Sequence, residues 1–113
     1  MIMTFLTFNV PLHDEEKMKQ VFTKWQILET SIKVEGCYKL ALVTPQERIG
    51  KVYVVGFWED TQAYQRWIDH PERGAAAVDI AAILDGEFDP TAPAPIMDVL
   101  HAVPSPGGWA NAG

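Results

Sequence analysis

CYKLALVTPQERIGKVYVVGFW, residues 37–58, is the stretch that decides the fold. Residues 37–44 and 51–58 are rich in β-branched and aromatic types and read as two strands. Between them Pro45 to Gly50 reads as a turn, so the pair forms an antiparallel hairpin. In the later strand Val52, Val54 and Trp58 alternate with Tyr53, Val55 and Phe57. Successive strand residues point to opposite faces of a sheet. A sheet with one wet face alternates apolar with polar, whereas here both sets are apolar, so both faces are expected to be buried.

Upstream, residues 2–9 (IMTFLTFN) read as another strand, ended by Pro11. Its Ile2, Leu6 and Phe8 share one face, and Met3 and Phe5 share the other. Asp14, Glu15 and Glu16 then place negative charge in a first helical turn, where the helix dipole favours it. Met18, Val21, Phe22, Trp25, Leu28 and Ile32 follow at helical spacing, which predicts one amphipathic helix with a single buried stripe. Gly36 closes that region.

Downstream, Asp60-Thr61 suit a helix N-cap, and Ala63, Tyr64, Trp67 and Ile68 share a face. Pro71 interrupts this helix, and Asp69 with Glu72 marks a fresh start that runs on through residues 75–84 to Asp85-Gly86. Residues 87–95 form a proline-containing loop. A last strand is expected over 96–103 (IMDVLHAV), with Ile96 and Leu100 opposing Met97, Val99 and Val103. Asp98 in that strand is expected to pair with Lys39 across the sheet.

The element order is β-α-β-β-α-β, an α+β, ferredoxin-like arrangement in one domain over residues 1–103, with a tail over 104–113. The helical segments cover one face of a four-stranded sheet. The other apolar face is then larger than soluble monomers usually leave open, so a homodimer packed sheet to sheet is expected. Cover by the tail, whose one large residue is Trp109, is the alternative.

The chain has 113 residues and a net charge of −6, with scattered Lys and Arg. That balance argues against nucleic-acid partners and anionic membrane surfaces. A single cysteine, Cys37, allows no intrachain disulfide, which fits a reducing cytoplasm. Neither a signal peptide nor a membrane-spanning run is read.

The segment VVGFWEDTQAYQRWIDHPERGAAA, residues 54–77, resembles the antibiotic biosynthesis monooxygenase family. It runs from a strand ending in Trp and Glu into a helix carrying Tyr and Trp, then into an alanine-rich helix. The element order resembles that family's dimeric α+β barrel over about residues 1–103. The resemblance implies a pocket role for Asn9, where the haem-degrading branch keeps an Asn, and for Trp67, where that branch and the polyketide-oxidising branch keep a Trp. It departs at Ala77, where the haem-degrading branch has its axial His, and at Ala63, where the polyketide branch often has an Asn.

The implied activity is a cofactor-independent monooxygenase acting on a small electron-rich aromatic such as an anthrone, a quinol or a polyketide. Such a substrate can be deprotonated and give an electron to dioxygen, and the protein supplies an apolar pocket and donors for the oxyanion. The Asn9 amide and the Trp67 indole are suitable donors, although each also suits an ordinary turn or core position. His101, in an otherwise apolar strand, is a candidate base. Tyr53, Phe57, Tyr64 and Phe22 are candidates to bind a planar ligand. His70 and His13 read as surface residues, and the histidines share no metal-ligand spacing. Alternative readings are a non-catalytic ligand-binding or stress-related dimer, and a haem-binding oxygenase, for which Ala77 supplies no iron ligand.

Overall fold

Both strands of the hairpin form where their composition directs, as β2 (Cys37–Val43) and β3 (Lys51–Trp58). The computed structural model describes residues 1–86 and 94–103. The remaining elements are β1 (Ile2–Asn9), α1 (Glu15–Lys24), α2 (Ile27–Ser31), α3 (Thr61–Ile68), α4 (Ala77–Ile83) and β4 (Ile96–Asp98). The strands form one four-stranded sheet in the order β2-β3-β1-β4, with every neighbour antiparallel. This is the α+β, ferredoxin-like fold. The expected tail over 104–113 lies outside the described residues.

Side-chain alternation divides the sheet. Ile2, Thr4 and Phe8 of β1 and Val52, Gly56 and Trp58 of β3 are buried toward the helices. Met3, Phe5, Tyr53, Val55 and Phe57 occupy the opposite, half-buried face. Two core clusters lie beneath the helices. One gathers Phe8, Val10, Met18, Phe22, Val52, Ala76 and Ile80. The other gathers Ile2, Trp58, Ala63, Tyr64, Trp67 and Ala94. Leu6 and Ile27 pack against both.

Four sequence expectations are corrected. The helix start read at Asp69 and Glu72 does not form there, because residues 71–76 are turns and α4 begins only at Ala77. The first helix is two, because Gln26 adopts a left-handed backbone (φ 50°) between α1 and α2. Around that break the stripe is re-aimed: Ile27 packs inward, while Trp25 before it and Ile32 after it are exposed. Trp25 instead donates its indole N–H to Asp79 of α4 at 2.8 Å. The last strand stops at Asp98, since β4 pairs only with Ile2, Met3 and Thr4 of β1. The expected Asp98–Lys39 pair does not form, because β4 and β2 are opposite edges of the sheet.

Glu15 ties the start of α1 to the end of the hairpin turn. Its buried carboxylate accepts the Gly50 N–H at 3.0 Å. Gly50 sits at φ +73°, and a Cβ there would lie 2.6 Å from the Val10 carbonyl oxygen, so only glycine fits. Burial pushes the Glu15 pKa up, but its own N–H, the Gly50 N–H and the charges of Arg48 and His13 outweigh it and hold the value below the usual 4.5. A carboxyl with a depressed folded-state pKa contributes stability above its unfolded value and loses it as pH falls through the folded one. Wild-type stability is therefore expected to decline as pH drops below 4.5. Glu15→Gln is expected to be less stable at neutral pH and to show a shallower acid slope in urea titrations run from neutral to acid. Identical slopes for the two proteins would remove Glu15 from the account.

Candidate functional site

A cavity of about 60 Å³ lies at the seam between the two core clusters. Thr4, Leu6 and Phe8 of β1, Leu40 of β2, and Val54 and Trp58 of β3 line its sheet side. Phe22 of α1, Ile27, Leu28 and Ser31 of α2, Tyr64 and Trp67 of α3, and Ile80 of α4 line its helix side. Arg73 and Ala94 complete it. The lining is mostly apolar and aromatic with few polar atoms, the composition expected of a small-molecule site.

Local chemistry positions the aromatic side chains. Asp60 caps α3 by accepting the Ala63 N–H at 2.9 Å, which sets the phase of the helix. That phase turns Ala63, Tyr64 and Trp67 inward. The Tyr64 ring packs 5.2 Å from the Trp58 ring, and its hydroxyl accepts the Ala94 N–H at 2.8 Å. Trp58 donates its indole N–H to the Thr4 hydroxyl at 3.0 Å. Gly56 leaves room for that bond, since a Cβ there would lie 2.6 Å from the Trp58 nitrogen and 2.9 Å from the Thr4 hydroxyl.

The sequence-derived candidates separate in space. Trp67, Tyr64 and Phe22 meet at the cavity. Tyr53 and Phe57 lie on the opposite face of the sheet, because they alternate with Val52, Val54 and Trp58, which face the helices. Asn9 is exposed, one residue out of phase with buried Phe8, and its side-chain oxygen accepts from Lys51 at 2.5 Å. His101 is exposed beyond the end of β4 and is not part of the lining. The strand expected to carry it has already ended.

Other groups were not foreseen. Thr4, Ser31 and Arg73 bring polar atoms to the cavity. Ser31 follows Ile27 by four residues and Leu28 by three, so helical spacing places it on their face. His70, expected at the surface, is half-buried with its ring 5.5 Å from that of Trp67. The Glu72 N–H reaches its Nδ1 at 3.1 Å.

Ala63 is fully buried, and a Cβ on the facing Gly36 would come within 2.7 Å of the Ala63 Cβ. A larger side chain at position 63 has no room there. Half-buried Cys37 has its thiol pushed up to about 12 by burial, so it carries little thiolate at neutral pH. Among the described residues no group of three or more His, Cys, Asp or Glu is placed to hold a metal ion. No helix among them is long and apolar enough to cross a membrane.

Comparison with known proteins agrees with this architecture. The family model for antibiotic biosynthesis monooxygenase matches residues 1–78, and the chain belongs to that family. No curated protein sequence matches the chain. Solved structures do. A protein named for the same family from Deinococcus radiodurans superposes with a TM-score of 0.71 at 12% identity, over 91% of this chain and 96% of its own. Another from Nitrosomonas europaea gives 0.71 at 13% identity, over 89% and 100%. SnoaB, a cofactor-independent oxygenase from Streptomyces nogalater, gives 0.68 at 14% identity, over 92% and 97%. At these identities the structural likeness is one of fold.

The Tyr64 hydroxyl bond supplies a direct check on the cavity wall. Ala94 is buried, so losing the hydroxyl leaves its N–H without a partner. Tyr64→Phe is expected to cost about 1–3 kcal/mol of stability, read as a lower urea midpoint with an unchanged slope. A midpoint equal to wild type would show that this bond does not hold the wall.

Proposed function

We propose that the chain is a cofactor-independent monooxygenase for a small electron-rich aromatic substrate, working as a homodimer. The observation that carries this reading is the cavity beside Trp67, Tyr64 and Phe22 in a chain of this family. The oxygenase reading of SnoaB, which shares the fold, supports it.

The chemistry fits the lining. An anthrone or quinol loses a proton to become an electron-rich anion and passes an electron to dioxygen. Recombination forms a carbon–oxygen bond. Loss of water then leaves one oxygen atom on the substrate as a carbonyl. All the electrons come from the substrate, so no further reductant enters the balance. The protein's part is to orient the ring in an apolar site and to stabilise the anion. The Trp67 indole N–H is a donor only and suits the oxyanion. Arg73 adds a fixed positive charge at the lining. Asn9 and His101 lie outside the cavity, and the proposal rests on neither.

The cavity is small for this task. Its roughly 60 Å³ is less than the ~150 Å³ that accepts benzene in an engineered core. Substrate entry therefore has to move the lining apart.

The dimer reading rests on the helix-free face of the sheet. Met3, Phe5, Val55 and Phe57 lie there with Met97 and Ala41, in continuous register across all four strands. A second copy of the same face buries it by symmetry.

Two measurements test these readings. Oxygen consumption by chelator-treated, pigment-free protein is expected to exceed a no-protein blank with at least one member of a panel of anthrones, quinols and polyphenols. Trp67→Phe is expected to lower that turnover about a hundredfold, as removal of an oxyanion donor does. A flat trace across the panel would move the weight to a ligand-binding role. For the assembly, light scattering on Val55→Asp is expected to give the monomer mass where wild type gives the dimer. An unchanged mass would place any interface elsewhere.

A further inference from the structure

One polar atom in the cavity is not accounted for by the fold. Ser31 is 1% exposed, lines the cavity, and has no hydrogen-bond partner for its hydroxyl among the described residues. A serine in a helix has a local acceptor within reach, the carbonyl four residues earlier. Here that is the carbonyl of Ile27, and Ser31 does not use it. The neighbouring polar groups are differently placed. The Thr4 hydroxyl already receives the Trp58 indole N–H, and the Tyr64 hydroxyl receives the Ala94 N–H. A buried hydroxyl left unpaired is disfavoured, and native structures rarely keep one without a reason.

We propose that Ser31 is a substrate-binding residue, whose hydroxyl hydrogen-bonds an oxygen on the aromatic ligand that the cavity takes. This rests on reading the cavity as the site of an aromatic substrate. The ligand class is a ring bearing a phenolic hydroxyl or a ring carbonyl, because a serine hydroxyl both donates and accepts. Trp67, Tyr64 and Phe22 provide the aromatic walls. Ser31, on α2, then selects oxygenated rings over hydrocarbons of the same shape.

The test is a binding titration by NMR without oxygen, using phenol and toluene, which differ by a hydroxyl in place of a methyl group. Wild type is expected to prefer phenol. Ser31→Ala is expected to lose about tenfold in phenol affinity, the worth of one hydrogen bond, and to keep its affinity for toluene. The unliganded variant is expected to melt at or above the wild-type temperature, since it removes an unpaired group. Equal phenol binding by the two proteins would overturn the proposal. So would a wild type that does not distinguish the probes, a wild type that binds neither, or a variant that melts several degrees lower. Phenol selectivity that depends on Ser31 but comes with no oxygen uptake on any substrate would sink the oxygenase reading and leave this proposal standing.

Discussion

Thr4 and Trp58 are joined across the central strand pair by an indole N–H donating to a hydroxyl at 3.0 Å, and the molecule is organised around that register. β1 and β3 pair from Ile2 against Trp58 to Asn9 against Lys51. A slip by one residue would turn every side chain of a strand to the other face. Trp58 and Phe8 would leave the helices, and Phe57 and Asn9 would replace them. The bond cannot be satisfied in a slipped sheet, and Gly56 is the residue that leaves space for it. Because Thr4 and Trp58 also line the cavity, the contact that fixes the sheet also builds one wall of the site.

The hairpin strands were legible because their composition and turn signals agree with each other. β3 falls at the expected residues, and β2 ends one residue early. The break at Gln26 was not legible. The apolar spacing runs through it without interruption, and a single left-handed residue leaves no mark in a periodicity. The length of β4 was hidden for another reason. Residues 96–103 have a continuous strand pattern, but strand length is set by the partner. Val99 reaches the Met1 carbonyl at 3.1 Å, and the residues after it pass the start of β1.

The site was half legible. Helical spacing turns Phe22, Tyr64 and Trp67 inward, and all three reach the cavity. Strand alternation separated Tyr53 and Phe57 from Val52, Val54 and Trp58, but both sets are apolar. Nothing in the alternation says which one the helices cover. Thr4 and Ser31 were passed over because a short polar residue in an apolar stripe looks like a tolerated exception. In the folded chain they are buried polar atoms, and a low-dielectric surrounding makes such atoms matter more than exposed ones.

The seam position of the cavity bears on how it can widen. Each core cluster is packed within itself, one mainly on α1 and α4 and the other mainly on α3. Leu6 and Ile27 are the partly buried residues shared between them. A ligand that enters the seam separates two packed units rather than opening a packed core. Leu6 and Ile27 line the cavity at that junction, together with the rings of Phe22, Tyr64 and Trp67. α4 is linked to α3 by the turn segment 69–76, which carries Arg73, and Gly74 in that segment has nothing packed near its missing Cβ. Arg73 is the one formally charged side chain among the described residues that line the cavity. If the cavity takes the aromatic substrate proposed above, movement of this segment would change the volume of the cavity and the position of Arg73 together.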